Sequence, residues 1–188
     1  MRFQVQKRNK TGADGEIALP ASFPSLLHEA VSEVAGPEAA RAVLGRVGQA
    51  TGEELARSLE RALPEGNPGP VEAERFWRLL SDLLARRGWG RLVHHPLHPG
   101  VGSLTALDWA PAAEGEEGGE AAPLFDALLT ALLSRLAGGE VEVMEIPAPS
   151  ESPGARRWLF GGKEAMGALA AAGPPPDSGN LDALLARL

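Results

Sequence analysis

The sequence predicts an α+β domain in which helices pack on an antiparallel sheet, and three stretches carry that prediction. Residues 128–146 (LLTALLSRLAGGEVEVMEI) run a helix straight into a strand. Leu128, Leu129, Leu132, Leu133 and Leu136 share one helical face, Gly138 and Gly139 stop the helix, and apolar residues then recur at every second position. Residues 155–169 (ARRWLFGGKEAMGAL) give a second strand and helix. Residues 91–97 (RLVHHPL) and 103–109 (SLTALDW) read as two more strands, joined by a turn at Pro99, Gly100 and Gly102.

The other elements follow in chain order. Residues 15–19 (GEIAL) suit a short strand, and Ser22 then precedes a helix with Pro24 in its first turn. Pro37 opens another helix, whose Ala39, Val43, Val47 and Ala50 lie three or four apart on one face. Gly45, Gly48 and Gly52 sit close to that face. Glycine inside a helix costs about 1 kcal/mol relative to alanine, so three of them point to close helix packing or a kink. A phosphate loop is disfavoured, because GRVGQATG has no lysine and no preceding buried strand. After a Pro/Gly linker at 63–70, a strongly amphipathic helix begins at Val71, with Phe76, Leu79, Leu80, Leu83 and Leu84 at helical spacing, and ends at Gly88. Residues 111–121 (PAAEGEEGGEA) have no large apolar side chain and read as a surface loop. Residues 140–146 and 155–160 are the last two strands, separated by a proline-rich turn, and 163–172 form a helix. Residues 1–172 therefore make one domain. Residues 173–188 are a GPPPDSG spacer and a short amphipathic helix capped by Asn180, with Leu181, Leu184, Leu185 and Leu188 in a stripe.

Composition removes several classes of function. The 188 residues suffice for one hydrophobic core, and no apolar run approaches the roughly 20 residues that span a bilayer. The basic start MRFQVQKRNK lacks the apolar core of a secretory signal, so a cytoplasmic location is expected. Formal charge is −7, with 25 acidic against 18 basic residues and no basic stripe, which argues against nucleic acid as a partner. With no cysteine in the chain, disulfides, thiolate metal sites and thiol nucleophiles are excluded.

The order and spacing of several short motifs resemble one known family. Gly88-Trp89-Gly90-Arg91 stands before the first sheet strand, Leu132-Leu133-Ser134 leads through Val141-Glu142-Val143 to Glu145, and Arg157-Trp158-Leu159 follows. This pattern resembles the 4-vinyl-reductase-like domain family, also described as hydrocarbon-binding and related in fold to the small subunits of the Golgi tethering complex TRAPP. The resemblance covers nearly the whole chain. It implies a four-stranded antiparallel meander packed against helices, with an apolar pocket between the layers. Many members carry cysteines near a helix start and around the last two strands, where a metal can bind. The corresponding positions here are Ala122, Ala148 and Arg156, so no metal or other cofactor is expected. A reductase activity would need a hydride-donor site, and no GxGxxG fingerprint follows a strand.

Candidate site residues follow from side-chain chemistry. Trp77, Trp89, Trp109 and Trp158 dominate the aromatic content, and core packing accounts for at least two of them. The sharper expectation is that Trp109 and Trp158, with Phe125, Leu129 and Met144, wall an apolar pocket, methionine supplying an adaptable surface. Of Arg156 and Arg157, one should face outward and the other toward the helices. The inward guanidinium either holds a ligand carboxylate or pairs with an acid such as Glu142. His94, His95 and His98 cluster, yet Pro96 breaks the strand and no further ligand stands beside them, so a metal site is not expected. His28 is isolated on a helix flank. GxSxG is absent, and no catalytic residue is assigned.

These readings converge on a non-enzymatic regulatory or sensor domain that binds a small hydrophobic ligand and forms a homodimer through the glycine-bearing N-terminal helices. The alternative is a scaffold or adaptor whose pocket is filled by its own side chains, the C-terminal helix offering a place for a partner protein.

Overall fold

A computed structural model describes residues 22–62, 70–108, 122–147 and 155–171. The strand expected at 15–19, the acidic loop at 111–121, Trp109, Ala148 and the C-terminal spacer and helix lie outside the described residues.

Among the described residues, five helices and four strands follow in the order α1 (Phe23–Ala35), α2 (Pro37–Ala62), α3 (Pro70–Arg86), β1 (Arg91–His98), β2 (Val101–Leu107), α4 (Ala122–Ala137), β3 (Val141–Ile146), β4 (Arg156–Gly162) and α5 (Lys163–Ala171). The α+β class read from the sequence holds. All strand pairs are antiparallel, in the order β1-β2-β4-β3. This differs from the sequential order of a meander. Two hairpins, β1–β2 and β3–β4, are joined by α4, and β4 lies between β2 and β3, so β2–α4–β3 is a split β-α-β unit. Helix α4 leads to the far edge of the sheet, and the second hairpin returns to pair with β2.

The β1–β2 turn is tighter than the sequence suggests. Pro99 and Gly100 alone connect the strands, and Gly102 is already paired, opposite Pro96. Proline cannot donate to the ladder, and the register shifts between Pro96 and His98 on this edge strand.

The α4 stripe is buried as its spacing predicts, through Leu124, Phe125, Leu128, Leu129, Leu132 and Leu133. Ser134 ties the helix to the next strand: its hydroxyl accepts from the Val141 N–H at 3.0 Å and donates to the Val141 carbonyl at 3.2 Å. Helix α2 is continuous through all three glycines. Its buried stripe is Ala40, Leu44, Gly48, Gly52, Leu55, Ala56 and Leu59, not the face of Ala39, Val43, Val47 and Ala50, and Val47 is exposed. The reason is contact with α4. A Cβ at Gly48 would lie 2.1 Å from the Leu124 carbonyl oxygen, and one at Gly52 would lie 2.3 Å from that of Leu128. Those two glycines let the helix backbones touch within the chain, so they are not available as the dimer contact expected of them. Gly45 has nothing within 4 Å of the same position.

The sheet has two covered faces. Toward α3 and α4 point Leu92 and His94 of β1, Leu104 and Ala106 of β2, Val141, Val143 and Glu145 of β3, and Arg156, Trp158 and Phe160 of β4. Toward α5 point Val101, Ser103, Met144, Ile146 and Leu159, packed with Met166 and Leu169. Among the described residues no helix is long and apolar enough to cross a membrane.

Candidate functional site

The face of the sheet under α3 and α4 combines aromatic rings with buried polar groups. Strand β4 sends alternate residues to this face, and each meets partners across the ladder. Trp158 lies between Leu104 and Glu145, Phe160 between Gly102 and Val143, and Arg156 beside Ala106.

Trp158 is fully buried, and its indole Nε1 donates to Asp126 Oδ1 at 2.9 Å. A buried indole N–H requires such an acceptor, and α4 supplies it where the apolar run LFDALL is interrupted by Asp126. Burial pushes the Asp126 carboxyl up from 3.8 to about 6. The Trp158 hydrogen bond opposes that shift, the nearby Glu145 charge adds to it, and Arg156 opposes it.

Arg156 is also buried, with its guanidinium 5.7 Å from the Trp158 ring centroid. Its Nε donates to Glu145 Oε1 at 2.6 Å and its Nη2 donates to Glu145 Oε2. The inward arginine is therefore Arg156, and its partner is Glu145. Glu142 lies on the opposite face of the same strand, because successive residues of β3 alternate.

An aromatic group closes the other end of this layer. Trp77 of α3 stacks on His94 of β1, with centroids 4.2 Å apart and planes at 11°. Phe160 leans on both rings, at 5.6 Å from Trp77 and 5.8 Å from His94, and Phe76 meets Trp77 edge-on at 4.8 Å. Gly102 gives Phe160 its room, since a Cβ there would sit 2.5 Å from the ring. Burial, helped by the charge of His95, lowers the His94 pKa and favours the neutral imidazole in the stack. Between the two ends, Trp89 packs edge-on to Phe125 at 5.9 Å.

Of the six residues singled out in the sequence, Phe125, Leu129, Arg156 and Trp158 share this layer. Met144 does not. It packs on the α5 side with Ile146, Leu159 and Met166, because it is one residue out of phase with Val143 and Glu145. Trp109 lies outside the described residues. Sequence reasoning missed Asp126, Glu145 and the cluster of Trp77, His94 and Phe160. The strand alternation that placed Val143 inward also placed Glu145 inward, so that signal was present.

The donor set does not fit the metal that the family resemblance implies. Ala122 has no ligating atom, and Arg156 brings a cation whose two-pronged pair occupies the Glu145 carboxylate. Among the described residues no three His, Cys, Asp or Glu side chains gather as metal ligands. Chemically, the layer combines aromatic rings with the half-buried Asp126 carboxylate, the neutral His94 imidazole and the Glu145 carboxylate that Arg156 engages.

No known family profile matches the chain, and no curated protein sequence does. Among solved structures, it is similar to the phenol-responsive sensory domain of the transcription activator PoxR, crystallised with phenol. The TM-score is 0.60 at 18% sequence identity, over 85% of this chain and 84% of that one. The two share a fold.

Proposed function

We propose that this chain is a sensor domain that binds a small hydrophobic molecule between the α3/α4 helices and the sheet and signals its presence to a partner, working in the cytoplasm as a homodimer. The observation that carries the reading is the layer itself. Trp77, His94 and Phe160 at one end and Phe125, Trp158 and Asp126 at the other put aromatic rings and a half-buried carboxylate on one sheet face. Binding sites for small molecules commonly have this composition, mostly apolar with a few placed polar groups. The fold shared with a phenol-responsive sensory domain supports it, as do the sequence motifs that resemble the hydrocarbon-binding 4-vinyl-reductase-like family. Burial of ligand surface at about 25 cal/mol per Å² supplies most of the affinity.

A second reading has its own support. Leu104, Leu132 and Trp158 are each fully buried in that layer, which suits a scaffold whose core is filled by its own side chains. Native mass spectrometry of the full chain, before and after denaturing extraction, separates the two. A co-purified apolar compound, or saturable binding of added phenol, supports the sensor. A chain that releases nothing and binds neither phenol nor toluene supports the scaffold.

A further inference from the structure

We infer that the ligand of this layer carries a hydrogen-bond donor, a hydroxyl or an amine, and no anionic group, and that Asp126 is the residue that receives the donor. This rests on the sensor reading and adds the polar chemistry of the ligand.

The inference follows from counting the polar groups and their partners. The described cluster holds two carboxylates, Asp126 and Glu145, one guanidinium, Arg156, and the Trp158 N–H. Arg156 gives both Nε and Nη2 to Glu145, and that pair spans β4 and β3 within the sheet. The guanidinium that the sequence offered for a ligand carboxylate is thus already committed. Asp126 has one hydrogen bond among the described residues, from Trp158 to Oδ1, and no cation pairs with it directly. Its second oxygen retains acceptor capacity, since a carboxylate takes about four hydrogen bonds. Asp126 is half-buried on α4, next in sequence to Phe125, whose ring meets Trp89.

With both acids ionised, the cluster carries an excess negative charge in an apolar setting. A carboxylate ligand would meet repulsion from Asp126 and Glu145, strengthened by the low local dielectric. A pure hydrocarbon would leave the half-buried carboxylate without the water it loses on binding. A ligand hydroxyl or ammonium removes that cost by donating to Asp126, while its apolar body lies toward the half-buried Trp89. Glu145 holds Arg156 away from the ligand, so the pair acts as positioning residues that keep the site selective against anions.

Isothermal titration of the full chain with phenol, benzylamine, toluene and benzoate tests this. Phenol or benzylamine should bind about tenfold or more tightly than toluene, and benzoate should be the weakest of the four. Asp126→Leu should bring phenol to within about threefold of toluene. Asp126→Asn keeps the volume and an acceptor oxygen for Trp158, so it guards against a folding defect. It should retain phenol, weaken benzylamine and improve benzoate. If benzylamine alone beats toluene the donor is cationic, and if phenol alone does it is neutral; both support the inference. Toluene and phenol binding alike, or benzoate binding best, overturns the inference while leaving the sensor reading intact. No binding by any of the four overturns both.

Discussion

The two faces of the sheet differ in kind. The face under α3 and α4 carries Trp158, Phe160, His94, Arg156 and Glu145, a mixture of rings and paired charges. The face under α5 is mostly aliphatic: Val101, Ile146 and Leu159 meet Met166 and Leu169 under a nine-residue helix, and its buried polar atoms, the Ser103 hydroxyl and the Arg157 Nε, have no hydrogen-bond partner among the described residues. Both are buried, so burial alone does not distinguish them. The distinction lies in cost. A charged or polar group in the interior must be fully partnered, and a fold that needed only stability would use aliphatic packing on both faces. The Asp126–Trp158 and Arg156–Glu145 contacts therefore mark the face whose buried polar groups are partnered.

Four measurements sharpen or break that contrast. The largest effect should come from the shared apolar foundation of the first face: Leu132 on α4 is fully buried, and Leu132→Ala should lower stability by about 3 to 5 kcal/mol through the cavity it leaves. A chemical-denaturation midpoint equal to wild type would show that α4 is not the centre of the core.

Next is the ion pair. Arg156→Met leaves Glu145 unpaired in a mostly buried setting and should cost about 3 kcal/mol, whereas the double variant Arg156→Met with Glu145→Gln should recover much of the loss. A double variant no more stable than the single one argues that the arginine acts through packing instead of charge.

The third concerns acidity. Asp126 titrates at about 6 in the folded chain against 3.8 for an ordinary aspartate. Between those values the folded protein holds more protons than the unfolded one, so this group's contribution to stability falls as pH rises, by roughly 2 to 3 kcal/mol in total. Asp126→Asn removes the dependence. The stability of the variant minus that of wild type should therefore increase from pH 4 to pH 7, and a flat difference places the carboxyl in water.

The smallest effect belongs to the α5 face, where the buried Ser103 hydroxyl has no hydrogen-bond partner among the described residues. Ser103→Ala should leave thermal stability unchanged or raise it by about 1 kcal/mol, because nothing polar is left unpaired by its removal. A clear loss would reveal a polar role on the face read as aliphatic.

What could be read in advance follows a physical division between local and non-local information. The α4 stripe, its stop at Gly138 and the alternation of β3 are set by neighbours in the chain; the end of α4 and the whole of β3 fall within a residue or two of where their periods place them, while α4 begins at Ala122, ahead of the Leu128 read from the sequence. The strand order was not legible. Whether β4 pairs with β2 depends on how α4 lies across the sheet, which no turn residue encodes. The same limit separated Met144 from Trp158: both suit a pocket by chemistry, but strand phase and register put them on opposite faces. Gly48 and Gly52 announced a close approach without naming the helix that approaches. Choosing Glu145 over Glu142 needed only the phase of β3, so there the sequence held more than was taken from it.

The split β-α-β connection also bears on how the chain reaches this structure. Each hairpin can close early, β1–β2 across a two-residue turn, because its strands are near in sequence. The central seam is different, since it brings Ser103 to Leu159 and Leu104 to Trp158 across the whole of α4 and β3. Its loop-closure entropy is met only when α4 has docked and begun to bury its leucines. The β2–β4 seam thus carries the largest closure cost of the three strand pairings, and Trp158, at its middle and fully buried, is a built-in optical reporter of its closing.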